Sequence, residues 1–326
     1  MHLADAALAR SRAYALFGTL YIKGLTPDLL PTVQALPELS STLPPLFDAD
    51  AAAADHHDLF GLNVFPYAGL FLDSAGQGDG SVAAYARRLY HTAGFHVDTR
   101  REGADHIGHA LAFLAFLTGA EADALENRLT TEAERMRPLQ CRFLDSYLLE
   151  WLPVFVQAVR RHAHPFYTVL ADLTSDLVID HRAALGCPPD AAPDPFFPPP
   201  PTLLDDETTG LKDIAAYLTT AARSGFYLSR NDIRRLSRDE RLPHGFGPRA
   251  LMMTHLLRAA AEFDGFEPVL TGLEKEVQAW RNHYTALTTE GLPVLNDIAG
   301  RWLQRLATTE HILARMRTVV VSKKET

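Results

Sequence analysis

The stretch CPPDAAPDPFFPPPP, residues 187–201, constrains this 326-residue chain more than any other. Eight of its fifteen residues are proline. Proline lacks an amide hydrogen and fixes φ, so no helix can run through such a stretch, which favours stiff polyproline geometry instead. The chain therefore reads as a helical part over residues 1–186, a proline-rich linker over 187–205 and a further helical part over 206–326. The length suits one large domain or two ordinary ones.

On both sides of the linker the apolar spacing is helical. Leu3, Ala7, Tyr14, Phe17 and Tyr21 form a stripe that Gly24 stops. Thr26-Pro27-Asp28 reads as N-cap, first helical residue and first-turn acid. Asp79 can cap a helix carrying Val82, Tyr85 and Leu89 and ended by Gly94. Leu125, Leu129, Ala133 and Met136 form a stripe closed by Pro138, and Phe143, Tyr147, Trp151, Phe155 and Val159 form one with a restart at Pro153. Phe166, Leu170, Leu173 and Leu177 run to Gly186. Beyond the linker, Leu211, Ile214 and Leu218 lead to Gly225, and Ser229 with Asp232 has the spacing of a capping box. Pro248 opens a helix with Leu251, His255 and Arg258; two further stripes are Leu270, Leu273, Val277, Trp280, Tyr284 and Leu295, Ile298, Trp302, Leu306. No segment alternates with period two, so the expected fold class is all-α.

Composition sets the compartment and the partners. With 47% hydrophobic and 22% charged residues the chain is globular. The N-terminus lacks a signal-peptide layout, because Asp5, Arg10 and Arg12 interrupt any apolar core. No apolar run reaches the roughly 18 residues of a membrane span. Cys141 and Cys187 are the only cysteines, too few for a disulfide framework or a zinc cluster, so a reducing cytoplasm is expected. Residues 1–186 hold 14 Lys and Arg against 22 Asp and Glu. Residues 24–86 hold eight acids and no Lys or Arg. Such a field repels nucleic acid and attracts cationic partners.

Two stretches carry the chemistry-bearing residues. In GADHIGHALAFLAFL, residues 103–117, Asp105 precedes a helix apolar on most sides, which marks a central core helix. Asp105 is expected to cap it, with the His106 ring pointing at solvent or a cleft and His109 one turn on. Asp105 with His109, or His106 with His109, could share a metal, but the His-Glu-x-x-His pattern and a third ligand are missing. In DLFGLNVFPYAGLFLDSAG, residues 58–76, Tyr67, Leu70, Phe71 and Leu72 are too crowded for an exposed loop. They suit either a loop pinned to the core or the wall of an apolar groove with Asp73 at its rim. GQGDG, residues 76–80, follows no strand and is no phosphate loop. His56-His57-Asp58 reads as a solvated loop, and His162-Ala163-His164-Pro165 as a connection between helices. There is no nucleophile elbow. No catalytic residue, metal or cofactor is expected.

Together these stretches resemble the TorD/DmsD family of redox-enzyme maturation chaperones. Phe65-Pro66-Tyr67-Ala68-Gly69-Leu70-Phe71-Leu72-Asp73 is similar to that family's Pro-Pro-Tyr/Trp-x-Ser-Val-Tyr-Leu-Asp motif. Ala104-Asp105-His106, followed by Leu111, Phe113, Leu114 and Leu117, resembles its Pro-Asp-His motif and the helix it opens. Phe143-Leu144 with Trp151-Leu152-Pro153-Val154-Phe155 resembles its Phe-Leu…Trp-x-Pro-x-Phe helix. The chain departs in having one proline rather than two, Gly69 in place of serine, and Tyr147 where histidine is common. The resemblance covers about residues 1–186. It implies a cytoplasmic, non-enzymatic chaperone that binds the twin-arginine signal peptide, or the apoprotein, of a molybdopterin-dependent oxidoreductase until its cofactor is inserted. It also implies a client groove formed by Tyr67, Leu70, Asp73, Asp105 and His106. The acidic window suits such a peptide, with its two arginines and apolar stretch. Competing readings are a nitrate-reductase-type assembly factor, a helical metal-dependent hydrolase using His56, His57, His106 and His109, and an adaptor of two interaction modules.

Overall fold

The computed structural model describes residues 3–74, 80–188, 196, 198, 203, 208–239, 241–243, 245–288 and 292–324, the last without the side chains of 319–324. Among these every regular element is helical, and the one β feature is an isolated bridge between Tyr67 and His106. The all-α expectation holds. Asp79, GQGD and most of the 187–205 linker lie outside the described residues.

The chain forms two compact units, Met1–Gly69 with Gln77–Asp194, and Leu70–Gly76 with Pro195–Thr326. In the first, α1 (Leu3–Lys23) ends where Gly24 adopts a left-handed φ of 73°. α2 (Ala49–His56), α3 (Ser81–Thr92) and α4 (Ile107–Glu126) follow, then α5 (Thr130–Phe143), α6 (Leu149–His162) and α7 (Pro165–Leu185). α4 is the core helix: Ile107, Leu111, Leu114 and Leu117 are wholly buried and Phe113 nearly so, while Phe116 is 42% exposed. α1 lies against it unusually closely. A Cβ on Gly18 would stand 2.9 Å from the Gly108 carbonyl oxygen, and one on Gly108 would stand 2.7 Å from that of Gly18. Ser11 Oγ donates to the Ala115 carbonyl at 2.8 Å along the same seam.

A buried polar chain crosses this core. Tyr14 Oη lies 2.9 Å from His181 Nδ1, His181 Nε2 lies 2.7 Å from Gln140 Oε1, and Gln140 Nε2 donates to Glu121 Oε2 at 2.9 Å. Read as Tyr14 donating, His181 and Gln140 each take one hydrogen and pass one on to the next, so α1, α7, α5 and α4 are joined through one chain of bonds. Burial drives the His181 pKa down to about 3, keeping the ring neutral. Arg182 clasps Asp145 with bonds of 2.5 and 2.8 Å, both side chains buried.

Several local expectations change. Thr26 does not cap a helix directly; it opens a turn, and the next helix is Leu30–Gln34. Pro138 sits inside α5 rather than closing it, because one missing donor is tolerated while Gln140, Cys141 and Phe143 beyond it are buried. The break falls earlier, at Arg128 with φ 58°. The restart comes in a π-helical turn, Leu144–Leu148, ahead of Pro153. His56-His57-Asp58 is helical, the end of α2 and the start of a π-helical turn over His57–Asn63. Cys141 and Cys187 are bonded to each other across 46 residues, so the cysteine count no longer argues for a reducing compartment.

The second unit contains α8 (Leu211–Leu218), α9 (Arg230–Asp239), α10 (Arg249–Glu262), α11 (Phe266–Leu287) and α12 (Pro293–Lys324). The Ser229 capping box is complete: the hydroxyl accepts from Asp232 N at 3.0 Å and the Asp232 carboxylate accepts from Ser229 N at 2.8 Å. The stripes Leu270 to Tyr284 and Leu295 to Leu306 are buried as the spacing demands. Gly225, at φ 81°, leaves room for the α12 backbone, since a Cβ there would lie 2.7 Å from Leu306 N. Tyr284 Oη donates to its carbonyl at 2.9 Å.

Candidate functional site

The two motif stretches meet in the first unit at the N-terminus of α4. Residues 66–69 run antiparallel to 105–107. Ala68 N–H donates to the Asp105 carbonyl at 3.0 Å and Ile107 N–H to the Pro66 carbonyl at 2.9 Å. Asp105 Oδ2 accepts from Gly69 N at 3.0 Å. The helix cap is His106 rather than Asp105: His106 Nδ1 accepts from Gly108 N at 3.0 Å. Asp105 is turned to the motif segment, so the residue after it takes the cap.

Capping needs a bare Nδ1, hence a neutral ring with its proton on Nε2. Burial, with His109 and His56 nearby, lowers the His106 pKa to about 3 and supplies that state. His106 is 2% exposed and Asp105 is fully buried. The expectation of a His106 ring facing solvent or a cleft is therefore corrected: the ring packs edge-on to Tyr67 at 5.0 Å and to His109 at 6.0 Å. Tyr67 itself is half-buried and donates to Glu102. Burial, and then Glu102, push its phenol pKa upward. Behind it Tyr90 Oη donates to the Ala104 carbonyl at 2.9 Å.

Of the five residues singled out from sequence, the fold brings Tyr67, Asp105 and His106 into this junction. Leu70 and Asp73 are half-buried members of the second unit, where neighbouring Phe71 stacks on Tyr227 at 5.0 Å. Two of the four histidines of the hydrolase reading have structural partners: His56 Nε2 lies 3.0 Å from the Tyr21 carbonyl, and His106 caps α4, whereas His109 Nε2 is buried without a hydrogen-bond partner among the described residues. Among the described residues no group of three or more His, Cys, Asp or Glu could hold a metal ion.

Sequence reasoning passed over one concavity. A groove of about 400 Å³ lies between the segment 42–47, α2 and the start of α7. Its lip, Leu43-Pro44-Pro45-Leu46-Phe47, is five apolar residues in a row, with Leu46 85% exposed. That run directly before the Asp48 helix cap was the available signal.

The architecture defines an all-α protein built on a central helix whose N-terminus is clasped by a Pro-Tyr-Ala-Gly segment. Among the described residues no helix is long and apolar enough to cross a membrane. Residues 27–157 match the family described as nitrate reductase delta subunit, which spans both motifs and leaves 158–326 outside. Over that segment the chain is similar to this family of NarJ- and TorD-type redox-enzyme maturation chaperones. Its members are assembly factors for molybdoenzymes rather than catalysts. No curated protein matches the chain.

Proposed function

We propose that this protein is a cytoplasmic chaperone that binds the twin-arginine leader, or the apoprotein, of a molybdopterin-dependent oxidoreductase and holds it until its cofactor is inserted. The family match over 27–157 carries this reading, because it covers the whole of both motifs. Charge supports it: eight acids without a Lys or Arg between 24 and 86 attract a leader with two guanidinium groups. Tyr67, half-exposed, is the junction residue able to meet a client directly, while Asp105 and His106 fix the backbone that presents it. Leu70 and Asp73 are further client contacts on the strength of the motif they share with Tyr67. Binding and release suffice; no bond is made or broken.

Calorimetric titration tests the proposal with two probes, a synthetic leader carrying Arg-Arg before an apolar run, and the leaderless apoprotein of a molybdoenzyme. Saturable binding of either is expected, and the stronger one identifies what is held. Failure of both to bind would overturn the reading.

A further inference from the structure

We infer that the groove between segment 42–47, α2 and the start of α7 is the docking surface for the apolar stretch of the client leader, with a leader arginine set against Asp48. The inference rests on the chaperone reading above and adds the place and chemistry of contact. The motif junction cannot by itself supply an apolar surface, since Asp105 and His106 are buried and their neighbours Ala68, Ala104 and Ile107 wholly so. The groove can. Its floor is Leu25, Phe166 and Tyr167, its wall is Ala52 on α2, and its lip carries Leu46 and Phe47. A leucine left 85% exposed beside further apolar side chains marks a surface with a partner to gain.

The surroundings select the partner by charge. Asp48 and Asp55 line the groove and no Lys or Arg does. Its one imidazole, His164, is committed: Nε2 lies 3.2 Å from Asp55 Oδ2, and Nδ1 accepts from Tyr167 N at 3.5 Å. That pair ties α2 to the start of α7 across one side of the groove. Asp48 is fixed by capping α2, its Oδ1 accepting from Asp50 N and Ala51 N at 2.9 and 3.1 Å. A carboxylate has lone-pair sites beyond those two bonds, so an arginine can reach it without breaking the cap. An apolar slot with anchored carboxylates and no competing cation fits a segment that is apolar along its length and basic at one end.

The test uses the full-length protein and the same Arg-Arg leader peptide, with affinity read by fluorescence anisotropy and folding by thermal melts. Leu46→Ser alters an exposed side chain and leaves the fold intact; it should weaken binding about tenfold, as expected for one well-buried leucine contact. Ala52→Trp, which fills the slot, should do the same. Asp48→Asn keeps a good cap while removing the charge. It should weaken the Arg-Arg leader about two- to fivefold at low salt and leave a leader with both arginines changed to glutamine unaffected. If the wild type binds the leader and neither Leu46→Ser nor Ala52→Trp changes the affinity, the groove is overturned while the chaperone reading stands. If the wild type does not bind the leader at all, the groove falls, and apoprotein binding then decides the chaperone reading separately.

Discussion

The junction at the N-terminus of α4 and the groove beside α2 belong to the same unit and are built on opposite principles. The junction collects the residues that look most chemical, Asp105, His106 and Tyr67, and spends their polar atoms on backbone donors and on Glu102. It is closed and its His106 is neutral. The groove is made from leucine, proline, phenylalanine and alanine, is open, and carries anchored acids. A conspicuous polar motif can thus serve as a brace, while the open concavity beside it is made of ordinary apolar residues. Damage to the first should be read in stability and damage to the second in affinity.

The largest expected effect is on the brace. Leu114→Ala, in the core of α4, should cost about 2–5 kcal/mol in urea unfolding, because it leaves a cavity among fully buried neighbours. Gly108→Ala comes next at about 1–3 kcal/mol, since its Cβ would stand 2.7 Å from the Gly18 carbonyl oxygen and 2.4 Å from Ile22 Cγ1. A variant at 108 as stable as wild type would show that α1 can move away from α4, and the brace would be softer than its packing.

Acid should weaken the brace. The folded pKa values of His106 and His181 lie at about 3, against an ordinary 6.5. The unfolded chain takes up protons below 6.5 that the folded chain refuses until about pH 3. Stability is therefore full above pH 6.5 and falls as pH drops through that window, by about 1.4 kcal/mol per pH unit for each ring. His106→Asn keeps a side chain able to cap and cannot titrate. Unfolding measured at pH 7, 6 and 5 should give it a shallower slope than wild type by one histidine's share. An unchanged slope would mean that His106 protonates in the folded state.

The smallest stability effects separate the two regions most sharply. Tyr67→Phe removes one hydrogen bond at a half-exposed site and should cost about 0.5–1 kcal/mol. Asp55→Asn replaces the half-exposed carboxylate that meets His164 Nε2 and should cost about 0–1 kcal/mol, yet lower leader affinity at low salt. If Asp55→Asn unfolds the protein as readily as Gly108→Ala does, the groove is part of the brace and the contrast fails.

The helical class, most helix stops and the buried stripes were legible from residue order alone. These depend on local rules: a left-handed stop at Gly24 or Gly186, the capping box of Ser229 and Asp232, and the period of Leu270 to Tyr284. Residue order also placed the two motifs, because Tyr67, Asp105 and His106 are read within short windows. Their roles follow from contacts between segments distant in sequence. Which of Asp105 and His106 caps α4 depends on whether a distant Gly69 N–H is there to take the Asp105 carboxylate. The Cys141–Cys187 bond depends on α7 returning its C-terminal end to α5, and the Tyr14–His181–Gln140–Glu121 chain on four helices meeting. The groove escaped for the same reason. Leu25, Leu46 and Phe166 share no sequence period, and a concave surface exists only once chain segments far apart in sequence pack side by side.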